Sequence, residues 1–219
     1  MSYDLSLTEL EFGSLLSYSP RGISEPERNA REVMLHIKYD KYFGKPPILM
    51  SNFISDLLKK DIGNLPFSNF FDNEPILVPI PNSSLMQADT LWVPHRLATA
   101  LHEKGFGMGV ANMLHRKIPL PKAATSRPQD RPKAANHCQS LEIQETITLP
   151  KHILLIDDVI TRGATLLGAA NKLNKAYPGV NIRAFAAMRV ISEPNDFQDL
   201  YNPRIGHITL IGDETYRDP

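Results

Sequence analysis

Cysteine is nearly absent from this sequence, in which Cys138 is the only one among 219 residues. A single thiol excludes an internal disulfide and a cysteine-rich zinc site, and it is typical of a protein from a reducing cytoplasm. Long apolar runs are also missing, since none approaches the ~20 residues that cross a bilayer, and no basic segment precedes an apolar one at the start. We therefore expect a cytoplasmic protein that has no membrane partner.

An excess of charge is missing as well, because Lys plus Arg and Asp plus Glu each number 24. A neutral chain has no general attraction to nucleic acid, although a local patch is still possible. Residues 115–135 form such a patch, in which four prolines disfavour regular structure and Asp130 is the only acid. Its cations are Arg116, Lys117, Lys122, Arg127, Arg131 and Lys133. We expect a mobile basic loop with one of three roles. It is an ordinary solvated loop, it closes over phosphates, or it contacts nucleic acid.

The usual nucleotide-binding signatures are lacking too. No Gly-x-Gly-x-x-Gly turn follows a predicted strand, and no Gly-Lys-Ser/Thr turn exists, which excludes the Rossmann and P-loop classes. The glycines from Gly105 to Gly109 follow a predicted helix and lack the third spaced glycine, so they indicate a helix stop and a turn.

The most informative stretch that is present runs from Ile153 to Leu166. Its first four residues are aliphatic without alternation, which predicts a strand that is buried on both faces and ends at Asp157 and Asp158. A turn from Thr161 to Thr165 follows, and then a helical pattern. Gly163 allows a close backbone approach, and the free amides and dipole of a helix start favour a phosphate.

The two adjacent acids would repel that phosphate, so we expect them to serve another part of the ligand. Ribose hydroxyls and a Mg²⁺ ion are the two candidates, and a sugar phosphate would satisfy both the acids and the turn. The alternative is a structural one, since any parallel strand can end in Asp and continue through a glycine turn into a helix.

The whole stretch closely resembles the signature of type I phosphoribosyltransferases, which bind phosphoribosyl pyrophosphate (PRPP). The resemblance implies that Asp157 and Asp158 hold the ribose hydroxyls of PRPP. It also implies a 5-phosphate site made of Thr161, Arg162, Gly163, Ala164 and Thr165. Mg²⁺ would be the cofactor, held through PRPP and possibly Asp157 and Asp158, without a metal cluster of the protein itself. The hypoxanthine-guanine branch has an acid at the position of Thr161, so that substrate is disfavoured.

Beyond the signature, the chain resembles the ComF branch of this family without its amino-terminal zinc module. The similar pieces are Ile37 to Tyr39, Val78 to Pro81, Gln129, and Lys133 to Asn136. The resemblance implies a pyrophosphate loop of Pro81, Asn82, Ser83 and Ser84, which lacks the arginines usual in that branch. If the protein is an enzyme, we expect Lys122, Arg127, Arg131 or Lys133 to close over the pyrophosphate as a lid. We count Arg131 and Lys133, with Asp157 and Asp158, as candidate catalytic residues.

These patterns predict an α/β fold with a type I phosphoribosyltransferase-like parallel sheet, flanked by helices and preceded by an amino-terminal helical extension. We expect an extension with covering helices in residues 1–70 and a PRPP-binding domain in residues 71–219. A capping box at Ser24 to Glu27 opens a helix to about residue 40. Further helices end near Lys60 and span 91–104, and strands span 76–80, 181–190 and 208–211.

Two functions remain open from the sequence. The first is an enzyme of nucleotide metabolism that transfers a phosphoribosyl group to an unidentified acceptor and releases pyrophosphate. The second is a non-catalytic subunit that binds PRPP or a related nucleotide within a homo-oligomer or a protein complex. Relatives of the second kind are expected in DNA uptake and in retron-type phage defence. Both predict PRPP at residues 157–165, but only the enzyme releases pyrophosphate.

Overall fold

A seven-stranded sheet runs through the protein in the computed structural model, which describes residues 5–87, 89–121, 126–144 and 150–219. The strands in chain order are β1 Glu9–Tyr18, β2 Tyr42–Phe43, β3 Ile48–Leu49, β4 Ile76–Pro79, β5 Gly109–Val110, β6 Leu114–Arg116, β7 Leu141–Ile143, β8 His152–Ile160, β9 Asn181–Val190, β10 Tyr201–Ile211 and β11 Glu214–Asp218. The α-helices are α1 Glu25–Lys38, α2 Met50–Asp61, α3 Val93–Glu103, α4 Ala134–Ser140 and α5 Ala164–Ala176. Among the described residues, no helix combines the length and apolarity that crossing a membrane requires.

The strands of the main sheet follow the order β11-β10-β1-β9-β8-β4-β5. Five strands of this sheet are parallel to one another: β1, β9, β8, β4 and β5. The other two are antiparallel to their neighbours, β10 to β1 and β11 to β10. The pairs β2–β3 and β6–β7 form two small separate sheets. The α/β class and the mostly parallel sheet that the sequence predicted are therefore confirmed.

The core lies in two layers, one on each face of the sheet. Leu154 and Ile156 of β8 belong to the layer that includes residues of α1, α2 and α3. Ile153 and Leu155 belong to the opposite layer, which includes residues of α4 and α5. Because successive side chains of a strand point to opposite faces, a strand between two helical layers must be apolar at every position. That requirement explains the unbroken aliphatic run of β8.

The amino-terminal segment corrects one prediction, because residues 9–18 are an interior strand and not part of a helical extension. β1 pairs in parallel with β9 and antiparallel with β10. Its apolar pattern is interrupted by two fully buried serines, of which Ser17 donates to the carbonyl of Asp199 at 2.6 Å. These polar positions hid the strand from a hydrophobicity reading. The division of the chain at residue 70 stays a prediction.

Most of the other predicted elements are present with shifted bounds. The helices α1, α2 and α3 and the strands β4 and β9 lie where the sequence placed them. Two strands are longer than predicted, since β8 continues through the two acids to Ile160 and β10 begins at Tyr201. No sequence pattern indicated β11, which makes a hairpin with β10.

Candidate functional site

Asp157 and Asp158 lie in the second half of β8, where both are partly buried. The N–H of Asp158 donates to Asp157 Oδ1 at 2.9 Å. Burial raises the pKa of Asp157 well above its ordinary value, and the charge of Asp158 raises it further. Tyr18, at the end of β1, is near enough that Asp158 adds to burial in raising the pKa of its phenol. Burial and mutual repulsion both disfavour the charged form of this pair. A ligand that donates hydrogen bonds to the carboxylates, or that brings a cation, would stabilise it.

The same pair offers hard oxygen ligands of the kind that Mg²⁺ prefers. The described residues contain no group of three or more His, Cys, Asp or Glu side chains that could hold a metal ion alone. Mg²⁺ commonly binds through one or two carboxylates together with phosphate oxygens of a substrate. Asp157 and Asp158 therefore fit an ion that arrives with a phosphorylated ligand.

The turn from Thr161 to Thr165, where the sequence predicts a phosphate, joins β8 to the start of α5. Gly163 is the N-cap of α5 at φ +82°, and no side chain caps the first amides of the helix. Thr161 and Arg162 are exposed, while Gly163 is buried against Ile208 of β10. Among the described residues, the first amides of α5 thus have no side-chain acceptor, and the helix dipole adds partial positive charge there, as an anion site requires.

The hydroxyl of Thr165 has a neighbour that the sequence did not suggest. Thr165 Oγ1 lies 3.4 Å from Nε2 of His137, a buried residue of α4. Burial, with a smaller contribution from Arg116, lowers the pKa of His137 to about 3. The imidazole is therefore neutral at pH 7 and can accept or donate at Thr165 according to its tautomer. His137 was not among the predicted site residues. The one pattern that could have indicated it is its position four residues after the candidate cation Lys133.

The predicted pyrophosphate loop, Pro81 to Ser84, follows β4 and lies beside the acids. Pro79 of β4 is opposite Ile156 of β8, and the N–H of Ile80 donates to the carbonyl of Ile156 at 2.9 Å. The chain therefore leaves β4 next to the point where β8 reaches Asp157. Since carboxyl ends of parallel strands form ligand sites, this places the loop and the acids at one edge of the sheet.

Four consecutive carbonyls around this loop each accept a hydrogen bond from the protein. They are Ile80 from Trp92 Nε1 (2.7 Å), Pro81 from Arg116 Nη2 (3.4 Å), Asn82 from Arg116 Nε (3.0 Å) and Ser83 from the N–H of Leu120 (2.9 Å). Within the described ranges, the backbone N–H groups of residues 82–84 have no acceptor. The loop therefore has its carbonyls occupied and its amides available.

The candidate catalytic cations are placed differently. Lys133 pairs with Asp213 and, at 3.1 Å, with Glu214 of β11, and these partners raise its pKa. Arg162 lies in the predicted phosphate turn, residues 161–165, and is 3.7 Å from the same Glu214. The Nε of Arg131 donates to the carbonyl of Ser126 at 3.4 Å. Lys133 is thus linked to the phosphate turn through the β10–β11 hairpin, whereas Arg131 is bound within its own segment.

The predicted basic loop of residues 115–135 is corrected at its two ends. Arg116 ends β6 and is 5% exposed, so it is not a solvated cation, and α4 begins at Ala134. Arg127 pairs with Asp130 at 2.8 Å, while Lys117 pairs with Glu142 at 3.3 Å. Lys122 lies outside the described residues. A lid over phosphates and a contact with nucleic acid stay predictions.

A cleft of about 410 Å³ opens beside the phosphate turn. Its lining includes Thr161, Arg162, Ser192 and four residues of β11. One of these, Arg217, donates from Nε to the carbonyl of Thr161 at 2.7 Å and stacks over the ring of Phe12. The hairpin therefore forms one wall of the site. No sequence signal identified it, because residues 201–218 contain no recognised motif.

Comparisons with known protein families and with curated proteins found no match for this chain. Its function is therefore inferred from the chemistry of the site.

Proposed function

We propose that the protein binds PRPP and transfers its phosphoribosyl group, with release of pyrophosphate. One observation carries this proposal, the arrangement of three features at one edge of the sheet. A pair of carboxyls lies on β8, a loop with available amides follows the neighbouring strand β4, and the start of α5 follows β8 directly. Two separate anion sites with a hydroxyl-binding pair match a sugar that bears a phosphate at one end and a pyrophosphate at the other.

Each part of the site has a role in this proposal. Residues 161–165 bind the 5-phosphate, Asp157 and Asp158 accept hydrogen bonds from the ribose hydroxyls, and residues 81–84 bind pyrophosphate. A nucleophile of the acceptor attacks the anomeric carbon while the bond to pyrophosphate breaks, and pyrophosphate leaves with the electron pair. Mg²⁺, when bound, neutralises charge on the phosphate oxygens. Arg131 and Lys133 are the candidate cations for the leaving group.

A second candidate is a non-catalytic subunit that binds PRPP or a related nucleotide, as in a homo-oligomer or a larger assembly of the DNA-uptake or retron type. Two observations favour it. Lys133 is occupied by Asp213 and Glu214, and the loop of residues 81–84 carries no cationic side chain. Both features reduce the positive charge that a departing pyrophosphate requires.

The test is calorimetry with PRPP and Mg²⁺ on the native protein and on the Asp157→Asn plus Asp158→Asn variant. A matched control, Asp72→Asn plus Glu74→Gln, removes the same charge near the opposite end of β8, where Asp72 lines a small cavity with His152. Pyrophosphate release is assayed in the same samples with a panel of purine and pyrimidine bases. We expect the site variant to lose PRPP binding and the control to keep it.

The outcomes separate the two functions. Binding with release of pyrophosphate supports the transferase, and the panel then names its acceptor. Binding without release supports the non-catalytic subunit. If the native protein does not bind PRPP, or if the site and control variants bind it equally, the site assignment is wrong.

A further inference from the structure

The guanidinium of Arg116 is buried behind the loop of residues 81–84, and none of the described carboxylates pairs with it. Arg116 is 5% exposed, and its three nitrogens donate to the carbonyls of Asn82 and Pro81 and to the hydroxyl of Ser140. In the part of the chain that the structure describes, no acid forms an ion pair with it. The nearest acid of its two-stranded sheet, Glu142, pairs instead with His115 and Lys117.

Such an arrangement is costly, because neutral acceptors only partly replace the water that a buried guanidinium loses. Burial lowers the pKa of Arg116 to about 10, so the group is still charged at pH 7. The neighbouring His137 is neutral and does not compensate the charge. Among the residues that the structure describes, nothing thus balances the positive charge on the side of the loop to which the carbonyls of Pro81 and Asn82 point.

We propose that Arg116 is a positioning residue of the pyrophosphate loop and supplies the positive charge that the loop's own side chains lack. By holding the carbonyls of Pro81 and Asn82, it orients the amides of Asn82 and Ser83, on the other side of the same peptide groups, toward an anion. The bound pyrophosphate supplies the negative charge that the described surroundings of Arg116 lack. This inference rests on the proposed function, and it assigns Arg116 to the pyrophosphate end of the ligand.

The assignment predicts selectivity between the two ends of PRPP. The hydrogen bonds of Arg116 reach Pro81 and Asn82 and none of residues 161–165. Loss of its charge should therefore weaken pyrophosphate far more than ribose 5-phosphate, which occupies the turn before α5. A residue needed only for folding would weaken both ligands together.

The experiment compares Arg116→Gln and Arg116→Lys with the native protein by calorimetry, with pyrophosphate and ribose 5-phosphate as separate probes in the presence of Mg²⁺. We expect Arg116→Gln to bind pyrophosphate about tenfold or more weakly and ribose 5-phosphate less than about threefold more weakly. Arg116→Lys keeps the charge and should bind pyrophosphate at least about threefold more tightly than Arg116→Gln. Arg183→Gln is the control, because Arg183 pairs with Glu11 and lines the small cavity at the far end of the sheet.

A second measurement does not depend on any variant of Arg116. In the native protein, pyrophosphate should shift the amide resonances of residues 82–84, and ribose 5-phosphate should not. The inference is overturned if those amides do not respond, if Arg116→Gln weakens both probes equally, or if it weakens neither. If the native protein binds neither PRPP nor pyrophosphate, the proposed function fails as well. If the native protein binds PRPP but Arg116→Gln binds pyrophosphate as tightly as the native protein does, the role of Arg116 is wrong and the proposed function stands.

Discussion

Replacement of Gly163 by alanine should destabilise the phosphate turn for two separable reasons. Gly163 has φ +82°, and a Cβ there would lie 2.5, 2.6 and 2.7 Å from three side-chain carbons of Ile208. The left-handed conformation costs a residue with a Cβ about 1–2 kcal/mol. Overpacking against fully buried Ile208 adds about 1–3 kcal/mol. Gly163→Ala should therefore lower the free energy of unfolding by about 2–5 kcal/mol in urea denaturation.

The chain contains a control in which only the first cost applies. Gly179 has the same φ of +82°, but a Cβ there would meet nothing within 4 Å. Gly179→Ala should lose about 1–2 kcal/mol, so the difference between the two variants measures the steric contact.

A double-mutant cycle tests the same contact directly. In an Ile208→Ala background the three contacting carbons are gone, and Gly163→Ala should then cost about 1–2 kcal/mol, as Gly179→Ala does. Equal losses for Gly163→Ala and Gly179→Ala in the native background would refute the steric reasoning. So would a Gly163→Ala cost that Ile208→Ala does not reduce.

Two further predictions concern charge at the site. Asp157→Asn should stabilise the protein at pH 7, because a carboxyl with a raised folded-state pKa costs stability as the pH rises above its ordinary value of 3.8. The gain in urea denaturation should disappear below that pH, and a gain that does not change with pH would contradict the burial of the charge. Asp213→Asn plus Glu214→Gln releases Lys133 and Arg162 and should tighten ribose 5-phosphate binding roughly 1.4- to 5-fold at low salt. The control variant, Asp72→Asn plus Glu74→Gln, should leave the affinity for ribose 5-phosphate unchanged. The same increase in both variants would indicate a general effect of net charge.

Local chemistry explains which parts of the fold could be predicted. The capping box was visible because its two partners are three residues apart, and the N–H of Ser24 does donate to Glu27 Oε2 at 2.9 Å. The stretch from β8 into α5 was visible for a similar reason, since buried aliphatic residues, a glycine turn and a helical pattern follow one another directly. The carboxyl-terminal bound of β8 was less clear. The aliphatic run stops at Asp157, so the hydrophobic pattern ends there although the strand continues to Ile160.

Contacts between distant residues explain what could not be predicted. The contact of Lys133 with Asp213 spans 80 positions, and nothing near either residue indicates the other. Arg116 looked like one of six solvated cations because two of its three acceptors are backbone carbonyls, which every residue possesses. β1 was missed because its buried serines find partners in the last part of the chain.

The place of β1 in the sheet also affects how the protein is made on a ribosome. β1 comprises residues 9–18, and its two partners are β9 and β10, which begin at Asn181 and Tyr201. Roughly 160 residues separate β1 from β9, so at 5–20 residues per second a nascent chain carries β1 for about 8–30 s before either edge can be paired. During that time an apolar strand with two open edges can pair with other chains. The centre of the sheet is thus completed late in translation, and protection of nascent β1 matters more here than in a protein whose consecutive strands pair with each other.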